Sequence, residues 1–352
     1  MPRLRLYAGP RDAIEAPCEA RVGLSDGSYV LRDEAGFKLP AQVHGGVLSF
    51  VTPFLRRGEI RTLEVIDEVP DSTLELRDTG SEVVVARRGF QLAAYKYSGG
   101  RMPYVYPLNV PEGVSLTEDS PRDHPHHHSL WTAHGDVNGV DFWAGDGRIR
   151  HLRFKRLTAG PAYAEIVAEN SWEAEGGRLL VEERRIRFWN VPSGEWLIDY
   201  EVVLSPKGEV VLGDTKEAGM VSLRVASSMT VLKGGRLTNS WGGVNEGEVW
   251  GKRAEWCDYS GPLAGSVWGV AVFDHPTNPR HPTYWHARDY GLMTANVVFG
   301  ISHFTGRREG EMRLASPTRF FYRLLVHRGW AHEAHVGLRY LNWLYPPTVE
   351  PA

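Results

Sequence analysis

Five histidines lie within eleven residues of this chain, at His124, His126, His127, His128 and His134. The whole chain has 14 histidines in 352 residues, so this is a strong local concentration. Imidazole is the side chain that gains or loses a proton near neutral pH, and it is also the commonest metal ligand in proteins. The segment therefore predicts a site for proton transfer or for metal binding.

Two interpretations of the histidine segment stay open, beside the simpler one of an incidental His-rich loop. In the first, His126 or His127 donates a proton during catalysis, with His134 as a further catalytic residue. In the second, His124, His126 and His134 bind a divalent metal. Adjacent histidines lack the i, i+4 spacing of dedicated metal sites. We therefore expect no cofactor, although a divalent metal stays a possibility.

A second group of chemically capable residues lies in the segment from Asp214 to Arg224. Glu217 follows Lys216 directly, and Arg224 comes seven residues later. A carboxylate beside cationic groups stays ionised near neutral pH, which suits a general base. Glu217 is therefore the predicted base, with a surface ion pair as the alternative.

The segment from Asp274 to Gly291 repeats the Asp-His-Pro sequence of the histidine segment. Three prolines in its first nine residues predict a rigid loop, and rigid loops on a β scaffold commonly carry binding sites. The segment from Trp250 to Tyr259 mixes tryptophans with charged residues, a composition that suits the binding of polyols. The predicted substrate-binding residues are Tyr106, Asp123, Asp136, Asn138, Lys216, Arg224, Arg253, Trp256, Asp274, His275, Asn278, Trp285, His286 and Arg288.

Alternation of polar and apolar residues with a period of two dominates the chain and predicts an all-β protein. Residues 178–189 and 195–204 are predicted to form a hairpin around an Asn-Val-Pro-Ser-Gly turn. The predicted helix is short and covers residues 334–344. Residues 1–71 suit a small N-terminal β-sandwich module, and residues 72–352 suit a large two-sheet antiparallel supersandwich that carries the site.

Composition excludes several classes of partner. A net charge of -3 gives no basic surface for nucleic acid. No apolar stretch is long enough to predict a membrane-spanning helix or a signal peptide. Two cysteines without a CxxC motif predict neither a disulfide framework nor a thiolate metal site. We expect a cytoplasmic protein whose partner is a small carbohydrate, and the oligomeric state stays open.

Several motifs together carry a family resemblance: Tyr104-Val-Tyr-Pro-Leu108, Asp123-His-Pro-His-His127, Trp131 to Trp143, Asp214-Thr-Lys-Glu217 and Asp274-His-Pro-Thr-Asn278. They resemble the PmoA-like family of uncharacterised bacterial proteins. That name evokes a subunit of a membrane-bound methane monooxygenase, and the lack of a predicted membrane segment argues against methane oxidation here.

The resemblance implies a supersandwich similar to that of galactose mutarotases, behind a small N-terminal β module. Similar supersandwiches act on sugars with a histidine acid and a carboxylate base, which would make this chain an epimerase, lyase or hydrolase. A non-catalytic sugar-binding protein and a metal-dependent hydrolase or oxygenase are the alternatives. The chain departs from the family pattern at His128, where an arginine is often found, and at Ala218, where a glycine is usual.

Overall fold

The computed structural model describes residues 2–66, 68–299 and 310–352. Its strands form three large antiparallel sheets, and the all-β prediction is confirmed. In the described part of the chain, two short helices, α1 at Asn245–Val249 and α2 at Val336–Leu344, and two 3₁₀ turns, Ser227–Met229 and Val231–Lys233, lie outside the sheets. No helix within these residues is long and apolar enough to cross a bilayer.

The first sheet belongs mainly to the N-terminal part of the chain. In spatial order its strands are Pro17–Arg21 (β2), Val47–Val51 (β5), Lys38–His44 (β4), Gly27–Asp33 (β3), Ile60–Ile66 (β6), Arg3–Tyr7 (β1) and Thr348–Pro351 (β25). The turn between β4 and β5 is Gly45-Gly46, and both glycines have positive φ, as tight two-residue hairpins require. The sheet surrounds its own apolar core, which includes Leu6, Phe50 and Leu63.

The last strand of the chain completes this first sheet. Residues of β25 pair in register with β1, from Leu4 opposite Pro351 to Tyr7 opposite Thr348. The N-terminal unit proposed for residues 1–71 therefore receives a strand from the opposite end of the chain. Its contact with the rest of the molecule includes Gln42, whose side-chain oxygen accepts hydrogen bonds from the backbone N–H groups of Ala162 and Tyr163 at 3.0 and 3.1 Å.

The second and third sheets form the predicted supersandwich, with eight strands each. The second sheet contains, in order, Tyr284–Arg288 (β21), Leu292–Asn296 (β22), Ala218–Arg224 (β17), Leu130–His134 (β11), Tyr104–Leu108 (β10), Phe90–Lys96 (β9), Glu82–Arg87 (β8) and Leu74–Asp78 (β7). The third contains Arg148–Thr158 (β12), Tyr163–Ala174 (β13), Gly177–Trp189 (β14), Trp196–Pro206 (β15), Thr318–Arg328 (β24), Ser266–Asp274 (β20), Trp256–Leu263 (β19) and Arg236–Asn239 (β18). A small pair, Val210–Leu212 (β16) and Met312–Leu314 (β23), lies beside them.

Apolar side chains from the two large sheets form one continuous core between them. Sheets that pack face to face bury the alternate residues of each strand, which explains the period of two in the sequence. The predicted hairpin is confirmed as β14 and β15, with Trp189 opposite Leu197. The predicted helix is confirmed as α2, which packs outside the third sheet through Trp343 against Phe273.

Candidate functional site

A row of side chains crosses the second sheet from strand to strand. Cross-strand pairing places Tyr104 opposite Trp131, Trp131 opposite Ser222, Ser222 opposite Thr294, and Thr294 opposite His286. Residues directly opposite each other on antiparallel strands share a face of the sheet. These five side chains therefore form one line on one face, which we call the polar row.

The polar row lies on the outer face of the second sheet, away from the third. Thr132 points the other way, because its hydroxyl contacts the hydroxyl of Tyr200 on the third sheet at 2.9 Å. Neighbouring residues of a strand point to opposite faces, so Trp131 points outward. Arg224 is two residues beyond Ser222, and Arg288 is two residues beyond His286, so both flank the row on the same face.

Three polar atoms of the row have no hydrogen-bond partner in the part of the chain that the structure describes. Trp131, Ser222 and Thr294 are all 0% exposed. Nevertheless, Trp131 Nε1, Ser222 Oγ and Thr294 Oγ1 form no hydrogen bond with any residue that the structure describes. Buried polar groups in native proteins are almost always hydrogen-bonded, and exceptions call for a ligand, a water or a functional reason. The hydrogen-bonding groups in the middle of the row are therefore unsatisfied by residues 2–66, 68–299 and 310–352.

The histidine segment covers this row. The ring of His127 stacks on that of Trp131 with centroids 5.5 Å apart, and the ring of His124 stacks on that of His127 at 4.6 Å. The ring of Tyr290 also stacks on that of His124 at 4.5 Å, and it lies 6.3 Å from the ring of His127. His127 is consequently only 2% exposed, whereas His124, His126 and Tyr290 are half-buried. The segment thus forms an aromatic wall above the row.

Arg224 links the wall to the sheet. Its Nη2 donates to both carboxylate oxygens of Asp123 at 2.9 and 2.8 Å, and its Nη1 lies 3.4 Å from His127 Nδ1. A guanidinium can only donate, so Nδ1 of His127 is the acceptor and the ring proton resides on Nε2. The guanidinium also lies over the ring of Tyr290, 5.0 Å from its centroid.

The surroundings of His127 keep its imidazole neutral. Burial, followed by the charges of His126, His124, Arg224 and His286, lowers the pKa of His127 to about 2. Burial also lowers the pKa of His126. A neutral His127 with its proton on Nε2 is suited to donate a hydrogen bond, rather than to act as the charged acid expected from the sequence.

His286 has the complementary arrangement. Its Nδ1 lies 2.6 Å from the carbonyl oxygen of Lys216, so Nδ1 donates and Nε2 carries the free lone pair of a neutral ring. Burial lowers the pKa of His286 to about 4, although the hydrogen bond to Lys216 and the charge of Glu217 act in the opposite direction. The row therefore ends in a hydrogen-bond acceptor, Nε2 of His286, and the wall above it provides a hydrogen-bond donor, Nε2–H of His127.

Glu217 lies beside His286, one residue before the start of β17. Its carboxylate forms an ion pair with Lys216 and accepts a hydrogen bond from the hydroxyl of Thr215 at 3.2 Å. Partial burial raises the pKa of Glu217, but the hydrogen bond and charge of Lys216, then His286 and Thr215, outweigh burial, and the net pKa is lowered. Glu217 is thus ionised and half-exposed, as a general base requires.

The structure does not bring the proline-rich loop's first residues to this site. Asn278 donates to Asp274 at 2.7 Å and to the carbonyl of Phe321, and Asp274 also binds His281 and the N–H of Thr283. These bonds hold the loop to the third sheet. His275 packs against Phe321 on the third sheet and against Trp343 on α2.

Other expected binding residues are also used elsewhere. Arg253 donates to the carbonyl oxygens of residues 280, 281 and 282, which fixes the same loop. Trp285 is buried in the core and donates to the carbonyl of Ala254 at 3.0 Å. Trp256 lines a cavity on the third sheet. Arg288 is at the edge of the polar row, where it pairs with Glu246 at 3.0 Å.

The histidine segment ends at His134, the last residue of β11, and a turn follows it. His134 is fully buried, burial lowers its pKa to about 4, and its Nε2 lies 3.0 Å from the carbonyl of Gly213. Asp136 accepts from the N–H of Gly139, and Asn138 bonds with the backbone of residues 209 and 211. Tyr106 is half-buried on β10, two residues after Tyr104.

The three histidines of the metal hypothesis are not gathered around one point. His124 Nδ1 lies 2.9 Å from Asp123 Oδ2, whereas His134 faces the Gly213 carbonyl inside the fold. Over residues 2–66, 68–299 and 310–352, no group of three or more His, Cys, Asp or Glu side chains is positioned to hold a metal ion.

The sequence does not identify Trp131, Ser222 and Thr294 as site residues, because only the pairing register of the strands places them in one row.

A model of a protein family of unknown function, DUF6807, matches residues 82–337. The chain belongs to this family. The matched residues, 82–337, include every residue of the polar row and of the histidine segment. The finer resemblance to the PmoA-like family stays a prediction. No curated protein matches the chain.

Among solved structures, the chain is similar to an alpha-mannosidase from Enterococcus faecalis V583, with 8% identity and a TM-score of 0.44. That alignment covers 100% of this chain and 46% of the mannosidase. A second similar structure is a protein in the glycosyl hydrolase family 38 from Enterococcus faecalis, with 9% identity, a TM-score of 0.39, and coverage of 100% and 47%. This DUF6807 chain therefore spans about half the length of both.

Proposed function

We propose that this DUF6807 protein is a carbohydrate-active enzyme that binds a sugar or keto-sugar on the polar row. The supporting observation is the set of three buried polar atoms of Trp131, Ser222 and Thr294 that have no hydrogen-bond partner among the described residues. A polyhydroxylated ligand supplies acceptors for the indole N–H and partners for the two hydroxyls at once. The rings of His124 and Tyr290 provide a flat aromatic wall beside it.

The charges of the site favour a neutral sugar over a sugar acid or a sugar phosphate. Three described cations of the site each have a carboxylate partner: Arg224 pairs with Asp123, Arg288 with Glu246, and Lys216 with Glu217. His127 and His286 are neutral. An additional anion would therefore find no uncompensated positive charge in this set of residues.

The chemistry proposed for the site is the transfer of one proton at or beside the carbonyl or anomeric carbon. Glu217, or His286 through Nε2, takes a proton from a hydroxyl or from the carbon next to a carbonyl. The electron pair left behind moves towards an oxygen of the substrate, and the Nε2–H of His127 donates a hydrogen bond to that oxygen. Stabilising charge where it develops is commonly the largest contribution to catalysis. Epimerase and lyase reactions can both begin with this step, whereas in a hydrolase the same base would take the proton from the attacking water.

Replacement of the carboxylate tests the proposal. Neutral aldoses and ketoses are incubated with the protein in deuterated water, and anomer interconversion and carbon-bound deuterium are followed by NMR. We expect Glu217→Gln to lower the rate by about 100-fold or more, the usual contribution of a positioned base. Glu209→Gln is the matched control, because Glu209 is an exposed ion-pair partner of Arg313. Equal rates for wild type and Glu217→Gln would remove Glu217 from the mechanism.

A sugar-binding protein without catalysis is the second candidate. It is favoured by the neutral state of His127, which suits hydrogen bonding to a bound hydroxyl as well as it suits catalysis. In that case the same experiment shows saturable binding of a sugar, with no chemical change in the wild-type protein over many hours.

A further inference from the structure

A second concave site lies on the third sheet. It is a cavity of about 450 Å³, bounded by β18, β19 and the residues just before and within the start of α2. Ligand pockets for small molecules begin at about 300 Å³. None of its lining residues belongs to the polar row. From its lining we propose that this cavity binds a neutral cyclic polyol, such as a monosaccharide, independently of the polar row.

The floor of the cavity is a patch of polar residues on the outer face of the third sheet. Thr238 lies opposite Asp258, and Arg236 lies opposite Ser260. The alternate residues of these strands, such as Tyr259, belong to the core between the two large sheets. Side chains alternate along a strand, so the polar set faces the cavity.

Asp258 is the central acceptor of this floor. It is 1% exposed, its Oδ1 accepts from Ser260 Oγ at 2.5 Å, and its Oδ2 lies 2.7 Å from His327 Nε2. A carboxylate can accept about four hydrogen bonds. Gly269 makes this arrangement possible, because a Cβ there would lie 2.4 Å from the His327 ring and 2.5 Å from Ser260 Oγ.

Thr238 supplies an unsatisfied group next to this carboxylate. Its Oγ1 is buried and forms no hydrogen bond with any residue in the described part of the chain. A hydroxyl that needs a partner, beside a carboxylate with spare acceptor capacity, matches the adjacent hydroxyls of a polyol. The fit requires no charge on the ligand.

The walls of the cavity are aromatic. Trp256 and Trp330 line it and are half-buried, and Trp241, which is 74% exposed, lies on the turn just before the lining residue Gly242. Half-exposed indole rings offer flat apolar surfaces on which the C–H face of a sugar ring can stack. The carboxylate of Asp258 and the exposed guanidinium of Arg236 oppose each other in sign, which favours a neutral ligand over a charged one.

The test follows the indole N–H signals of Trp256 and Trp330 by NMR while glucose, galactose, mannose or myo-inositol is added separately up to about 100 mM. Assignments come from Trp256→Phe and Trp330→Phe. We expect saturable shifts of both signals with at least one of the four. Thr238→Val keeps the shape of the side chain and should weaken that binding about fivefold or more, the effect of losing one hydrogen bond.

Ser222→Ala is the matched control, because it removes a hydroxyl from the polar row and should leave the shifts of Trp256 and Trp330 unchanged. Conversely, Thr238→Val should leave any turnover at the polar row intact, so the two sites can fail separately. The cavity proposal is overturned if none of the four probes produces a saturable shift, or if Thr238→Val binds as tightly as wild type. Trp330→Leu, at a half-buried position, repeats the test if Thr238→Val does not fold.

Discussion

Arg224 determines the protonation of the residues around it. One guanidinium binds the carboxylate of Asp123 and faces Nδ1 of His127, so it fixes both the charge and the tautomer of its neighbours. Burial raises the pKa of Asp123, but the hydrogen bonds from Arg224 and His124 lower it to about 2 overall. The sequence marks Arg224 and the histidines as candidates. It contains no signal that Arg224 contacts a segment about one hundred residues away.

The Ser222→Ala variant tests whether the Ser222 hydroxyl contributes to sugar binding rather than to the stability of the fold. The hydroxyl has no partner among the described residues, so its removal should leave the midpoint of thermal unfolding unchanged or slightly raised. Sugar affinity at the polar row should fall about fivefold, as for the loss of one hydrogen bond. Calorimetry and NMR titration measure the two effects. A clear loss of stability would mean that the hydroxyl has a structural role.

Close packing of β17 against β22 defines the floor of the polar row. Gly219 has no side chain, and a Cβ there would lie 2.3 Å from Thr294 Cγ2 and 2.4 Å from Ser222 Oγ. Glycine at this position therefore lets two polar side chains of neighbouring strands approach each other. A glycine within a strand pattern indicates a close approach, but the sequence does not show which atoms approach.

Gly219→Ala tests the close packing of β17 against β22. The added methyl group must displace Thr294 or Ser222, and overpacking of this kind costs about 1–3 kcal/mol of unfolding free energy. Gly247→Ala is the control, because Gly247 is in helix α1 with nothing within 4 Å of its hypothetical Cβ. Urea denaturation should show a lower midpoint for Gly219→Ala alone. Equal midpoints for the two variants would contradict the packing inferred here.

Three buried neutral histidines couple the stability of the whole molecule to pH. The pKa is about 2 for His127 and about 4 for His134 and His286, in each case mainly because of burial. In the unfolded chain a histidine has a pKa of about 6.5. Between these values the unfolded state binds more protons than the folded state, so stability rises with pH across that window.

Acidification should therefore lower the unfolding free energy at pH values well above those at which the carboxylates are protonated. As pH falls from 6.5 towards 4, each of these histidines reduces the unfolding free energy by about 1.4 kcal/mol per pH unit. Urea midpoints measured at pH 7, 6, 5 and 4.5 check this expectation. His286→Gln, which keeps a donor for the Lys216 carbonyl, should flatten the dependence by about one histidine's share. A midpoint independent of pH in this range would contradict the neutral buried state.

The sequence by itself determined the all-β class, the hairpin of β14 and β15, helix α2, and the histidine and Lys216-Glu217 segments as chemically capable. These depend on local pattern, turn residues and side-chain type. Tertiary structure alone decided that Trp131, Ser222, Thr294 and His286 share one row, and that β25 joins the first sheet. The physical reason is that a period of two is the same for both faces of a sheet. Which face is shared, and with which strand, depends on pairing between segments far apart in the chain.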